Sequence, residues 1–176
     1  MSVGPLESTM HSPRNLLACR LSLALLPAVA LVGQASQDDL VKKVAAYTLT
    51  LPKIEAFGAM MGDLADWAAK HRKEAKALGA RAPKGLEGTA AFLKREPILQ
   101  AQLKAHQLTE EDYLLLPMAT LQAGIAVLGE AQGRTFPADR INPANIALVK
   151  ANQARVDAVM AKVRADQARM AGYGLR

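Results

Sequence analysis

Thr50–Leu78 reads TLPKIEAFGAMMGDLADWAAKHRKEAKAL, and its apolar residues lie on one stripe. Ile54, Phe57, Met61, Leu64, Ala68 and His71 alternate at spacings of three and four, the period of a helix buried on one side. Thr50 is suited to cap that helix, Pro52 is tolerated in its first turn, and Gly79 marks an end. The spacing predicts one helix to about Leu78. The chain is rich in alanine and poor in aromatic residues, and its β-branched residues do not cluster. This composition favours helix over sheet.

The flanking sequence repeats the pattern. Asp38–Tyr47 reads as a short helix with acids at its positive end, broken by Tyr47-Thr48-Leu49-Thr50. Short helices are expected at Leu86–Arg95 and Pro97–Ala105, with Ala80–Gly85 as a basic loop. Thr109 with Glu110, Glu111 and Asp112 marks another helix start. In the strongly apolar helix that follows, Leu114, Met118, Leu121, Ile125 and Leu128 alternate four and three, which predicts a central element of the bundle. Pro117 is expected to kink it. After a loop over Gly133–Ile141, Asn142-Pro143 opens a last helix to about Ala171. Its alanines at 151, 154, 158, 161, 165 and 168 form a small-residue stripe, flanked by Val149, Val156, Val159 and Val163, that suits close helix packing. The expected architecture is all-α: a bundle of three long and several short helices, one domain over 36–176.

Residues 1–35 have the layout of a secretory signal. Arg14 and Arg20 precede the apolar run Leu21–Val32, and Gly33-Gln34-Ala35 is a small-x-small tripeptide ahead of Ser36. The run is too short to cross roughly 30 Å of hydrocarbon, and Pro27 interrupts it. Met10 is an alternative start and Ala28-Val29-Ala30 an alternative cleavage site. Leu16-Leu17-Ala18-Cys19 resembles a lipoprotein box, but there the apolar run precedes the cysteine and here it follows. An uncleaved N-terminal membrane anchor is the remaining alternative. The expected location is periplasmic or secreted.

The chemistry of the remainder is sparse. Beyond Ala35 the only serine is Ser36, and the only cysteine, Cys19, precedes it, so a serine or cysteine nucleophile is disfavoured. His71 and His106 have Ala68 and Leu103 three residues before them, not the glutamate of a di-iron bundle. Zinc-protease, c-type haem and phosphate-loop motifs are missing. Asp63 and Asp66 share a helix face, but Lys70 four residues on is the expected surface partner of Asp66. No enzyme activity, cofactor or metal is expected. A small-ligand or haem carrier, with Met60, Met61 or Met118 and His106 as ligands, is an alternative, although methionines at helical spacing more often fill cores.

The chain carries a net charge of +6, and Lys70, Arg72, Lys73, Lys76, Arg81 and Lys84 fall together, offset only by Glu74. Cations suit a helix C-terminus, and the excess suits an anionic partner: an acidic protein face, a polymer or a membrane surface. Nucleic acid is disfavoured, because export removes most targets and no stacking aromatics are interleaved. The favoured expectation is a non-enzymatic domain binding a protein partner or envelope assembly. The alternative is a peripheral subunit of a membrane complex, held by an uncleaved N-terminus or by this patch.

Three further segments belong together: Tyr47-Thr48-Leu49-Thr50, Leu108-Thr109-Glu110-Glu111-Asp112-Tyr113 leading to Leu121-Gln122-Ala123-Gly124, and Asn142-Pro143-Ala144-Asn145-Ile146-Ala147. In this order, after a signal segment, they resemble a group of small exported all-helical proteins of environmental bacteria whose function is unknown. The resemblance spans roughly Tyr47 to Val159. It implies an all-helical periplasmic domain and transfers no catalytic residue.

Overall fold

Helices α1 (Gln34–Ala46), α2 (Leu51–Lys70), α3 (Arg72–Arg81), α4 (Leu86–Arg95), α5 (Pro97–Ala105), α6 (Glu110–Glu130), α7 (Pro143–Ala151) and α8 (Gln153–Gly172) follow one another in a computed structural model of the chain. The structure describes residues 34–83 and 86–175, and among these there is no strand. Three helices are long and five short, as the periodicity predicts. The signal-like run Leu21–Val32 and Lys84 lie outside the described residues.

Local chemistry fixes the starts. Thr50 Oγ1 accepts from the Lys53 amide at the head of α2. Thr109 and Asp112 form a reciprocal capping box at the head of α6. Asn142 Oδ1 accepts from the Ala144 amide, with Pro143 in the first turn of α7. α6 continues through Pro117 to Glu130.

The centre of the fold is the crossing of α2 with α8. On α2, Ile54, Phe57, Met61, Leu64 and Ala68 are buried, as the stripe predicts, while His71 is exposed. On α8 the buried residues are Val156, Val163, Asp166 and Met170, and Val149 of α7 continues that line. A Cβ added at Gly58 would stand 2.6 Å from Val159 Cγ1, and one at Gly62 would collide with Lys162 Nζ. Two glycines one turn apart on α2 therefore let α8 lie close.

Four expectations require correction. First, the helix from Leu51 does not run to Leu78, nor does Gly79 end it. His71 leaves helical geometry (φ −121°, ψ 52°) and α3 continues to Arg81, into the first two residues of the expected basic loop. The apolar spacing carries on through Ala75 and Leu78, which are buried, so periodicity conceals the break. Second, the last helix is split at Asn152 (φ −124°, ψ 25°). The Asn152 side chain donates to the Leu148 carbonyl at 2.9 Å and so competes with the backbone ladder.

Third, the alanine stripe does not pack within the chain. Ala151, Ala154, Ala158, Ala161, Ala165 and Ala168 are all exposed. The small residues that permit close approach are Gly58 and Gly62 on the opposite helix. Fourth, the large apolar residues of α6 do not mark its buried face. Leu121, Ile125 and Leu128 are 38%, 46% and 46% exposed, and Leu114 and Met118 are half-buried. The core takes Leu115, Leu116, Ala119, Ala123 and Ala126 instead. α6 is apolar nearly all round, so neighbouring α1 and α7 select the face carrying its small side chains.

Candidate functional site

Two features stand out: a buried polar clasp beneath α6 and a basic surface where α2 meets α3. The clasp begins with Tyr47-Thr48-Leu49-Thr50, which passes from α1 to α2 and leaves the Tyr47 carbonyl and the Leu49 amide outside both helical ladders. Buried Asn145, on α7, supplies the missing partners. Its Oδ1 accepts from the Leu49 amide at 2.8 Å, and its Nδ2 donates to the Tyr47 carbonyl at 2.8 Å. Asn142 Nδ2 donates to the same carbonyl at 3.4 Å.

Asp112 completes the clasp. It is 2% exposed and its carboxylate accepts four hydrogen bonds. Oδ1 receives the Tyr47 hydroxyl and Lys53 Nζ, the latter at 2.7 Å. Oδ2 receives the Thr109 amide and hydroxyl, each at 2.9 Å. Burial alone would raise its pKa, but the donors from Lys53, Tyr47 and Thr109 outweigh burial and bring it down to about 2. Burial and the neighbouring Asp112 push the Tyr47 phenol above its ordinary value. A carboxylate so saturated stays ionised and offers no free lone pair, so its role is to tie three segments together. Residues of Tyr47–Thr50, Leu108–Tyr113 and Asn142–Ala147 thus meet in one place.

Several other titratable groups are also engaged. His106 Nε2 lies 2.9 Å from Asp63 Oδ2, tying the end of α5 to α2. Asp66 does not pair with Lys70: it takes Arg169 across the α2–α8 crossing at 2.7 Å. Arg169 and Lys162 both hold Asp166, each at 2.8 Å. His71 stacks on Trp67, with ring centroids 5.6 Å apart. Met60 and Met61 fill the core. Among the described residues, no three His, Cys, Asp or Glu side chains converge to hold a metal ion.

The basic stretch divides. Arg81 forms a forked pair with Glu96, at 3.2 and 2.9 Å, which ties α3 to the head of α5. The Arg72 guanidinium lies 5.1 Å from the centre of the Tyr173 ring. Lys70, Arg72, Lys73 and Lys76 are exposed, and no acid among the described residues forms an ion pair with them. Arg72 and Lys76 border a shallow depression with Ala171–Gly174.

That C-terminal tail is held against α3 by Gly79, where an added Cβ would collide with the Gly174 carbonyl oxygen. Gly174 itself turns at φ 86°. Gly79→Ala is expected to displace the tail, to lower stability by about 1–2 kcal/mol and to speed carboxypeptidase trimming of the last residues. Trimming at the wild-type rate would show that the tail does not rest there.

The basic cluster is visible in the sequence as a run of cations, whereas the clasp has no local signature. Thr109 and Asp112 were legible as a cap, and Asn142 likewise. Nothing in either segment announces that Asp112 and Asn145 both reach across to Tyr47–Leu49. No family model matches the chain, and neither a curated protein nor a solved structure matches it.

Proposed function

We propose that this chain is an exported, non-enzymatic helical domain that binds a protein partner or an envelope assembly, periplasmic or secreted. The observation that carries the binding surface is the group Lys70, Arg72, Lys73 and Lys76. These exposed cations sit on adjacent turns around the α2–α3 break, with no acid partner among the described residues. Unneutralised positive charge at one end of a bundle favours an acidic protein face and speeds encounter with it. The signal-like N-terminus and the resemblance to exported helical proteins support the location. The non-enzymatic reading is supported by the engagement of Asp112, Asp166 and His106 in structural pairs.

Pull-down of the native protein from an envelope fraction is expected to recover a stoichiometric partner. Lys70→Glu/Lys73→Glu/Lys76→Glu is expected to lose it, with helical content unchanged because all three side chains are solvated. Recovery of free protein alone, or retention of the partner by the triple variant, would defeat the proposal. Mass spectrometry of the native N-terminus is expected to find Ser36 first. Salt-sensitive binding to anionic vesicles without a protein partner would point instead to a peripheral membrane subunit.

A further inference from the structure

We propose that α6 pairs with α6 of a second copy of this chain, antiparallel across a two-fold axis at Leu121. The exposed face is separate from the basic surface discussed above, and the inference stands without it. Leu121, Ile125 and Leu128 are the exposed large apolar residues of the described chain, and all three lie on this one face. With half-buried Leu114 and Met118 they form an apolar strip roughly 21 Å long at the helical rise of 1.5 Å per residue. By length and composition α6 is the one helix, among the described residues, apolar enough to cross a membrane, yet less than half of its apolar stretch is buried in the fold.

The strip is complementary to its own reverse. Rotation about an axis at Leu121 sets Leu121 against itself, Met118 against Ile125, and Leu114 against Leu128. Gly124 borders the strip, and an added Cβ there would have nothing within 4 Å, so the approach is open. Charge then selects a copy of this chain over an unrelated apolar surface. Glu111, exposed near the N-terminal end, shares its flank of the helix with Gly129, about five turns (roughly 18 residues) on. The Arg134 Cβ lies 3.7 Å from where a Gly129 Cβ would be, so Arg134 stands on that same flank at the opposite end. A two-fold axis across the helix keeps flanks together and exchanges ends. It therefore brings Glu111 of each copy to Arg134 of the other. Neither forms an ion pair within the described residues. Antiparallel alignment also sets the two helix dipoles head to tail, and the contact is isologous, as a closed dimer requires. A single-helix contact is small, so the association is of the weak, reversible kind.

Sedimentation equilibrium of the full chain over a range of concentrations tests the pairing. A reversible monomer–dimer equilibrium is expected. Ile125→Asp should leave a monomer with unchanged helical content, because that side chain is about half exposed. Glu111→Arg and Arg134→Glu should each weaken the dimer several-fold, and the double reversal should restore it. Independently of any folding change, air oxidation of Cys19→Ala/Leu121→Cys should yield a disulfide-linked dimer, and that of Cys19→Ala/Ala161→Cys should not.

A monomer at every concentration would overturn the proposal. So would a dimer indifferent to Ile125→Asp, or preferential cross-linking through position 161. Protection of the strip in monomeric full chain that disappears when residues 1–33 are removed would also overturn it, assigning the face to this chain's own N-terminal segment. Binding of phosphatidylcholine vesicles through Ile125 in place of self-association would assign it to lipid and overturn it equally.

Discussion

Asp112→Asn is expected to lower the free energy of unfolding by about 3 kcal/mol, read as a fall in the urea midpoint at unchanged slope. The size follows from the saturation of the carboxylate. Oδ1 and Oδ2 each accept two donors. An amide keeps one acceptor oxygen and turns its NH2 toward one group that can only donate and one hydroxyl that can turn to accept. In one orientation it opposes the Thr109 amide; in the other it opposes the Lys53 ammonium. Either way a buried site loses the ion pair with Lys53 and sets two donors against each other, which leaves a buried polar group unpaired. Tyr47→Phe removes one donor of the four and should cost about 1 kcal/mol. If Asp112→Asn were as mild as Tyr47→Phe, the carboxylate charge would not be holding the clasp.

The same group sets an acid limb. The folded state holds Asp112 at about 2, against an ordinary value of 3.8. The stabilisation it provides is therefore complete above pH 5 or so, falls as pH drops through 3.8, and is gone below the folded value. The difference is about 2 kcal/mol of stability at neutral pH. Chemical denaturation from about pH 5 down to pH 2 should show wild-type stability falling by that amount more than Asp112→Asn stability. Parallel curves for the two proteins would contradict the assignment. Asp166 has a depressed pKa as well: burial raises it, but Lys162 and Arg169 prevail. It contributes loss in the same direction to both proteins and cancels in the comparison.

The sequence discloses those features whose causes are local. The caps at Thr50, Thr109 and Asn142, and the buried face of α2, follow from side chains within a turn or two of one another. Breaks at His71 and Asn152 are hidden because the apolar period runs unbroken across them. Only tertiary packing re-aims α3, and only the Asn152 side chain, bonded back to Leu148, interrupts the last helix. On α6 and α8 the error has one origin. Large residues on one face of a helix suggest the buried face, and a row of alanines suggests a packing seam, when neighbouring elements are not considered. In α6 the surrounding helices admit Ala119, Ala123 and Ala126 and leave Leu121, Ile125 and Leu128 outside. Of the candidate site, the cluster of cations was legible as composition. The pairing of Arg81 with Glu96 and of Arg72 with Tyr173 depends on folds of the chain that no spacing encodes. The clasp was invisible for the same reason: Tyr47 and Asp112 have no local relation.

Gly58→Leu should be the most damaging change at the α2–α8 crossing, with a loss of about 3 kcal/mol or more. Its first added carbon already falls 2.6 Å from Val159 Cγ1, and a Val163 methyl stands 4.0 Å away. Valine is stiff at χ1 and Val163 is buried, so neither yields without moving α8 bodily. Gly62→Ala, one turn along, is the informative contrast. Its methyl collides only with the far end of Lys162, a side chain 59% exposed that swings into water, and rests at ordinary contact distance, 3.5 Å, from Asp166 Oδ2. Asp166 then keeps Arg169 as its partner. The methyl restores about 1 kcal/mol of helix propensity, which offsets the loss of one partly solvated ion pair worth about 0.5 kcal/mol. Gly62→Ala should thus be neutral or slightly stabilising in urea unfolding. The contrast between the two glycines reads the geometry directly, because both replacements gain propensity and only one meets an immovable neighbour. Equal effects at 58 and 62 would mean that α8 does not cross α2 at Gly58, and the arrangement of the core about that crossing would have to be abandoned.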